Sequence, residues 1–125
     1  MNHPEHLEQV TLIKWWSLAC KQFGIAEQLL FAIPNGGKRD VISAKLLKDE
    51  GVRAGVPDLF IAVPKGDYHG LFIEMKKAKG GQVSKSQKEM GALLLGQNYC
   101  VAVCHGWVEA KQIIERYLNQ QNKQT

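Results

Sequence analysis

Gly55-Val56-Pro57-Asp58-Leu59-Phe60-Ile61-Ala62-Val63, the turn-forming Pro64-Lys65-Gly66-Asp67-Tyr68-His69-Gly70, and then Leu71-Phe72-Ile73-Glu74-Met75-Lys76 form the stretch on which the fold turns. The apolar runs Asp58 to Val63 and Leu71 to Met75 are of strand length and rich in β-branched and aromatic residues. The Pro- and Gly-containing connection between them suits an antiparallel hairpin. Two acids and a lysine punctuate these strands. An aspartate opening one strand and a glutamate on its hairpin partner can share a hard cation such as Mg²⁺, which takes oxygen ligands. Glu74 and Lys76 are two apart, so they point to one face of their strand. A carboxylate and an ammonium at the edge of a sheet core are costly unless paired or metal-bound. The competing reading is a surface hairpin on which both are merely solvated.

Outward from the hairpin, helical and strand periods alternate. Leu12, Trp16, Ala19, Cys20 and Phe23 share one face of a helix over residues 5 to 23. Leu29 to Ile33 is a short strand running into Pro34-Asn35-Gly36-Gly37, and Val41, Ile42, Ala44, Leu46 and Leu47 allow a helix from Arg39 to Glu50, closed by Gly51. Beyond the hairpin, Ser84-Lys85-Ser86-Gln87 has capping-box spacing and opens a helix through Leu95. Tyr99 to Cys104 reads as a strand, Val108 to Leu118 as a helix, and the polar tail 119–125 as a frayed end. The order αβαββαβα predicts one α/β domain over residues 1–125, with a mixed central sheet flanked by helices.

A chain of 125 residues with 45% hydrophobic and 22% charged residues has ordinary globular composition. It is large enough for a core that needs neither metal nor disulfides. An odd three cysteines, Cys20, Cys100 and Cys104, point to a reducing cytoplasm, and no apolar run is long enough to cross a membrane. The net charge of +4 is unevenly placed: residues 38 to 88 hold 11 of the 16 Lys and Arg but 6 of the 12 Asp and Glu. That excess fits either a solvated surface or a polyanion site.

Phosphodiester hydrolysis gives each residue of the hairpin a role. A metal held by Asp58 and Glu74 polarises the phosphate and activates water, and Lys76 orients that water and offsets developing charge. Other metal-like signals fail on geometry. Cys100 and Cys104, four apart on a strand, sit about 13 Å from each other, too far to close a zinc site with His105. Gly36-Gly37-Lys38 lacks P-loop spacing, and Trp15, Trp16 and Trp107 read as core or interface anchors.

Pro57-Asp58, fifteen intervening residues and Glu74-Met75-Lys76 resemble the PD-(D/E)xK motif of restriction-endonuclease-like nucleases. Three further runs add to this: Ile33-Pro34-Asn35-Gly36-Gly37-Lys38-Arg39, Gly51-Val52-Arg53-Ala54-Gly55 ahead of Val56-Pro57, and Gly70-Leu71 ahead of Phe72. With Ser84-Lys85-Ser86-Gln87, they resemble stand-alone virus-type replication-repair nuclease (VRR-NUC) domains of phages and bacteria, over nearly the whole chain.

The resemblance implies a restriction-endonuclease-like fold and a Mg²⁺-dependent endodeoxyribonuclease, with Mn²⁺ able to substitute. It implies Asp58, Glu74 and Lys76 as the metal and catalytic residues, the Met75 carbonyl as a further ligand, and Gln87 close to the site. Glu5, followed four positions later by Gln9, matches the family's helix carboxylate. Against this stand a first-turn acid favoured by the helix dipole, and Glu8 in the same role. For Gln87 the capping box is a sufficient alternative. Lys77, Lys79, Lys85 and Lys88 on one flank, and Lys38, Arg39 and Arg53 on the other, are candidate DNA-backbone contacts. The resemblance further implies a homodimer acting on branched or duplex DNA as a Holliday junction resolvase, in the cytoplasm. A nickase or flap endonuclease of phage replication, and a non-catalytic branched-DNA-binding module, are the alternatives.

Overall fold

The structure is a computed structural model and describes residues 4–34 and 41–121. In chain order it contains α1 (Pro4–Ala19), β1 (Leu30–Ala32), α2 (Val41–Asp49), β2 (Leu59–Ile61), β3 (Leu71–Lys76), α3 (Lys85–Gly96), β4 (Cys100–His105) and α4 (Trp107–Leu118). This is the expected αβαββαβα order. The four strands lie side by side in the order β1-β2-β3-β4. β1 pairs antiparallel with β2 across the long connection that carries α2, β2 pairs antiparallel with β3 through the hairpin loop, and β4 joins β3 in parallel after the α3 crossover. The sheet is therefore mixed, as its pattern predicts.

One face of the sheet makes the core. Leu59, Ile61, Leu71, Ile73 and Met75, alternating along β2 and β3, meet Leu12, Trp16 and Cys20 of the first helical segment and Ala110, Ile114, Tyr117 and Leu118 of α4. Fully burying each large apolar side chain stabilises by about 1.5–3 kcal/mol. Two polar tips enter this layer with partners: Trp16 Nε1 donates to the Glu27 carbonyl at 2.9 Å, and the Tyr117 hydroxyl donates to the Val63 carbonyl at 2.7 Å. The Val63 contact ties α4 to the segment just past β2, the strand that Asp58 precedes.

The opposite face carries the other set of the alternation. Phe31, Phe60 and Phe72 are cross-strand partners there, with ring centroids 5.8 and 4.3 Å apart, and Tyr99 closes the row at 5.4 Å from Phe72. α3 packs over β4 on this side, its Gly91 lying against Val101.

Element ends differ from the sequence reading by small shifts. The α-helical hydrogen bonding of α1 ends at Ala19, and Cys20–Phe23 tighten into a 3₁₀ turn that stops at Gly24, with φ +67°. β2 covers Leu59–Ile61 rather than 58 to 63, although Ile33 N–H still reaches the Asp58 carbonyl and Ala62 N–H the Leu29 carbonyl. At the C-terminal end, Asn119 caps α4 and the Gln120 amide donates to the Tyr117 carbonyl. The expected turn from Asn35 and residues 122–125 of the tail lie outside the described residues, as do Lys38 and Arg39.

Candidate active site

The β2–β3 register pairs Leu59 with Ile73 and Phe60 with Phe72. Continued by one step, it sets Asp58 opposite Glu74, on the face away from the core. Cross-strand neighbours have Cβ atoms about 5 Å apart, close enough for two carboxylates to act on one centre. Asp58 is held by the strand itself: Met75 N–H donates to its Oδ2 at 2.7 Å. Met75 thus buries its side chain in the core while its backbone orients the aspartate.

Glu74 is the buried charged residue among those described, 6% exposed. Burial first, then the adjacent Asp58 carboxylate, push its carboxyl up to about 8, against the opposing pull of Lys76. Lys76, two residues on and therefore on the same face, brings Nζ to 3.6 Å from Glu74 Oε2.

Gln87 links these two side chains. Its Oε1 accepts from Lys76 Nζ at 2.9 Å, and its Nε2 donates to Glu74 Oε2 at 2.9 Å. The same Oε1 accepts from Ser84 N–H at 2.9 Å, while Gln87 N–H donates to Ser84 Oγ, completing a capping box at the start of α3. The capping and site readings of Gln87, alternatives in the sequence, are one structure. The helix terminus fixes the amide, and the amide holds the lysine–glutamate pair.

The loop before Asp58 is clamped to the same helix turn. Gly55 has φ +86°, and a Cβ there would collide with the Ser86 carbonyl. Only glycine allows this backbone approach.

The remaining candidates occupy varied positions. Glu5 is exposed in the first turn of α1 and makes no hydrogen bond or ion pair among the described residues. Glu8, half-buried one turn later, accepts from Trp107 N–H at 2.7 Å, placing its charge at the N-terminus of α4. Lys77, Lys79 and Arg53 are exposed, as is Lys85, which lies 3.9 Å from Glu89. Among the described residues no three acidic, histidine or cysteine side chains gather around one point. A cavity of about 500 Å³ lined by Tyr68, His69 and Asn98 opens at the hairpin loop and holds none of the site residues. The contribution sequence reasoning missed is the Met75 N–H, a backbone donor that no residue type announces.

Two opposed carboxylates and a lysine on one face of a mixed sheet between helices fit a nuclease of the restriction-endonuclease-like fold, the class that the family match shows. Residues 2–107 match the VRR-NUC domain model, and the chain belongs to that family. A solved structure described as a VRR_NUC domain protein superimposes with a TM-score of 0.82 at 27% identity, covering 98% of this chain and 93% of its own. No curated protein matches the sequence. Nucleases of this family are in general metal-dependent. The donors here fit a hard divalent cation: Asp58 and Glu74 supply anionic oxygens crowded enough to repel one another, which is the condition a cation relieves. As a nuclease domain the chain implies DNA binding, and no helix among the described residues is long and apolar enough to cross a membrane.

Proposed function

We propose that the protein is a Mg²⁺-dependent, structure-specific endodeoxyribonuclease that acts as a homodimer on branched DNA, in the manner of a Holliday junction resolvase, in the cytoplasm. One observation carries the chemistry: Gln87 bonds Glu74 and Lys76, Lys76 pairs with Glu74, and the Asp58 carboxyl contacts that of Glu74, on the sheet face opposite the core. The free state of Cys20, Cys100 and Cys104 fits a reducing compartment. The homodimer rests on size: a compact domain with one site per chain reaches two strands at symmetric positions most simply by pairing around a two-fold axis.

Asp58 and Glu74 would hold the cation, with the Met75 carbonyl as a backbone ligand and Glu5 as the further carboxylate. Once bound, the cation supplies Lewis-acid activation of the phosphate and of the attacking water. The protein's own groups set the geometry. Met75 N–H fixes one Asp58 oxygen, and the Asp58 carboxyl also contacts that of Glu74. Gln87 restrains Glu74 and Lys76 together, so the ammonium stays where charge builds on the phosphate oxygens. Lys77, Lys79 and Lys85, with Lys38, Arg39 and Arg53, would carry the flanking backbone.

The test is cleavage of end-labelled four-way junction, flap and linear duplex by wild type and Lys76→Ala in Mg²⁺, Mn²⁺ and EDTA. Paired symmetric nicks in the junction, absent in EDTA and in the variant, support the full reading. Cleavage confined to flap or duplex removes the resolvase, and binding without cleavage under every condition removes the nuclease. Light scattering at micromolar protein tests the dimer, which a monomer mass would refute.

A further inference from the structure

His105 is the last residue of β4 and belongs to none of the groups assigned above. The β3–β4 register pairs it with Lys76, as it pairs Val103 with Glu74. Paired residues of neighbouring strands point to the same side of a sheet, so His105 shares the face of Glu74 and Lys76, one strand spacing of about 4.8 Å away. Cys104 before it, facing the other way, is fully buried in the core. The imidazole is half-buried, and its Nδ1 lies 3.3 Å from the Lys77 carbonyl. A carbonyl can only accept, so Nδ1 carries the proton of that contact and Nε2 is the remaining ring position. Nε2 has no partner among the described residues.

Resting on the nuclease reading, we propose that His105 is a DNA-binding residue whose Nε2 donates to a non-bridging phosphate oxygen next to the bond that Lys76 faces. The charged groups around the ring are Lys76 at the paired position, Lys77, whose carbonyl it holds, and Glu109, whose Oε1 takes the His105 backbone N–H at 3.2 Å. In the imidazolium both ring nitrogens donate, so Nε2 can give its hydrogen to a phosphate oxygen while Nδ1 keeps the Lys77 carbonyl. The Lys77 carbonyl keeps the ring from rotating away, so the contact is made without ordering a long side chain at the moment of binding. Lys77 and Lys79, on flexible stems, supply charge beside it but not this fixed direction.

The two ring nitrogens can be replaced separately. In His105→Asn the side-chain amide sits where Nδ1 was and still donates to Lys77, but nothing reaches the Nε2 position. In His105→Gln the amide reaches the Nε2 position and gives up the carbonyl. Fluorescence anisotropy of a labelled four-way junction and a labelled duplex in EDTA measures affinity without cleavage. Melting curves show that each variant folds. Binding weakened about tenfold in His105→Asn and His105→Ala, as expected for one lost hydrogen bond to a charged group, supports the contact. A salt slope shallower by about 0.9 in both is the matching signature of one lost phosphate charge contact. His105→Gln should bind within about threefold of wild type. An Asn variant binding like wild type would reduce His105 to a prop for Lys77 and overturn the proposal, as would a Gln variant as weak as Asn. Wild-type protein that binds neither DNA would overturn the nuclease reading and this contact with it.

Discussion

Removing the Gln87 amide breaks three hydrogen bonds at once, to Ser84 N–H, Lys76 Nζ and Glu74 Oε2. Removing the Ser84 hydroxyl breaks the other half of the capping box and leaves the site contacts in place. Ser84→Ala should therefore cost about 1 kcal/mol in urea unfolding with cleavage little changed. Gln87→Ala should cost a similar amount and lower junction cleavage by at least about tenfold, since Lys76 and Glu74 lose their common restraint. Equal loss of activity in both variants would mean that Gln87 serves the helix alone. A second residue gives a pH signature. Burial, with smaller help from Cys100, pushes the Tyr117 phenol up to about 12 from an ordinary 10.0. Its folded state then holds the proton more tightly than the unfolded chain, so the linked stability is complete below pH 10 and lost as pH rises through 12. The amount is about 3 kcal/mol, two pH units at about 1.4 kcal/mol each. Tyr117→Phe should lose about 1 kcal/mol at pH 7, by orphaning the Val63 carbonyl, and should flatten the decline in urea stability above pH 10.

At the scale of elements, the first helix shows where the sequence could and could not be read. Its apolar face was legible because Leu12, Trp16, Ala19 and Cys20 repeat at the helical period, and all four are buried. The hairpin was legible because a Pro- and Gly-rich turn separates two apolar runs with acids at matching depth. The roles of the acids in α1 were not legible, because a first-turn glutamate answers equally to the helix dipole, a neighbouring helix or a metal. The structure separates two of them. Glu8 meets the N-terminus of α4 across a gap of 99 residues in sequence, a pairing that no local pattern encodes. Glu8→Gln should lower stability by about 0.5–1 kcal/mol in urea unfolding, since the charge–dipole part is lost and a weaker hydrogen bond remains. Cleavage at a temperature where both proteins are folded should stay within about twofold of wild type. Glu5→Gln is the opposite experiment: stability is expected to hold, and cleavage to fall by about tenfold if this exposed acid reaches the metal when substrate is bound. A Glu5→Gln enzyme that is as stable and as active as wild type would remove Glu5 from the site.

Across the whole molecule, the sheet separates the core from the candidate site. One face, packed on α1 and α4, holds the fold, while the other carries Asp58, Glu74 and Lys76 beside the row of phenylalanines. That allocation follows from strand alternation, so a sequence that reveals the strands also reveals which residues share the chemical face. The separation makes metal removal a clean perturbation, because a cation touches no core contact. Two opposed carboxylates without a cation are a local destabilisation, visible in the raised Glu74 carboxyl. Mg²⁺ at about ten times its Kd should therefore add about 1.4 kcal/mol to the free energy of unfolding, and EDTA should remove it. That corresponds to roughly 5 °C in Tm for a chain of this size. Asp58→Asn supplies the control. The amide oxygen can still accept from Met75 N–H, but the repulsion on Glu74 is gone. In EDTA this variant should melt at or above the wild-type temperature, and Mg²⁺ should no longer shift it. A wild-type protein whose melting ignores Mg²⁺ and Mn²⁺ at millimolar concentration, or an Asp58→Asn protein that still responds to them, would separate the carboxylate pair from metal binding and return it to a structural role.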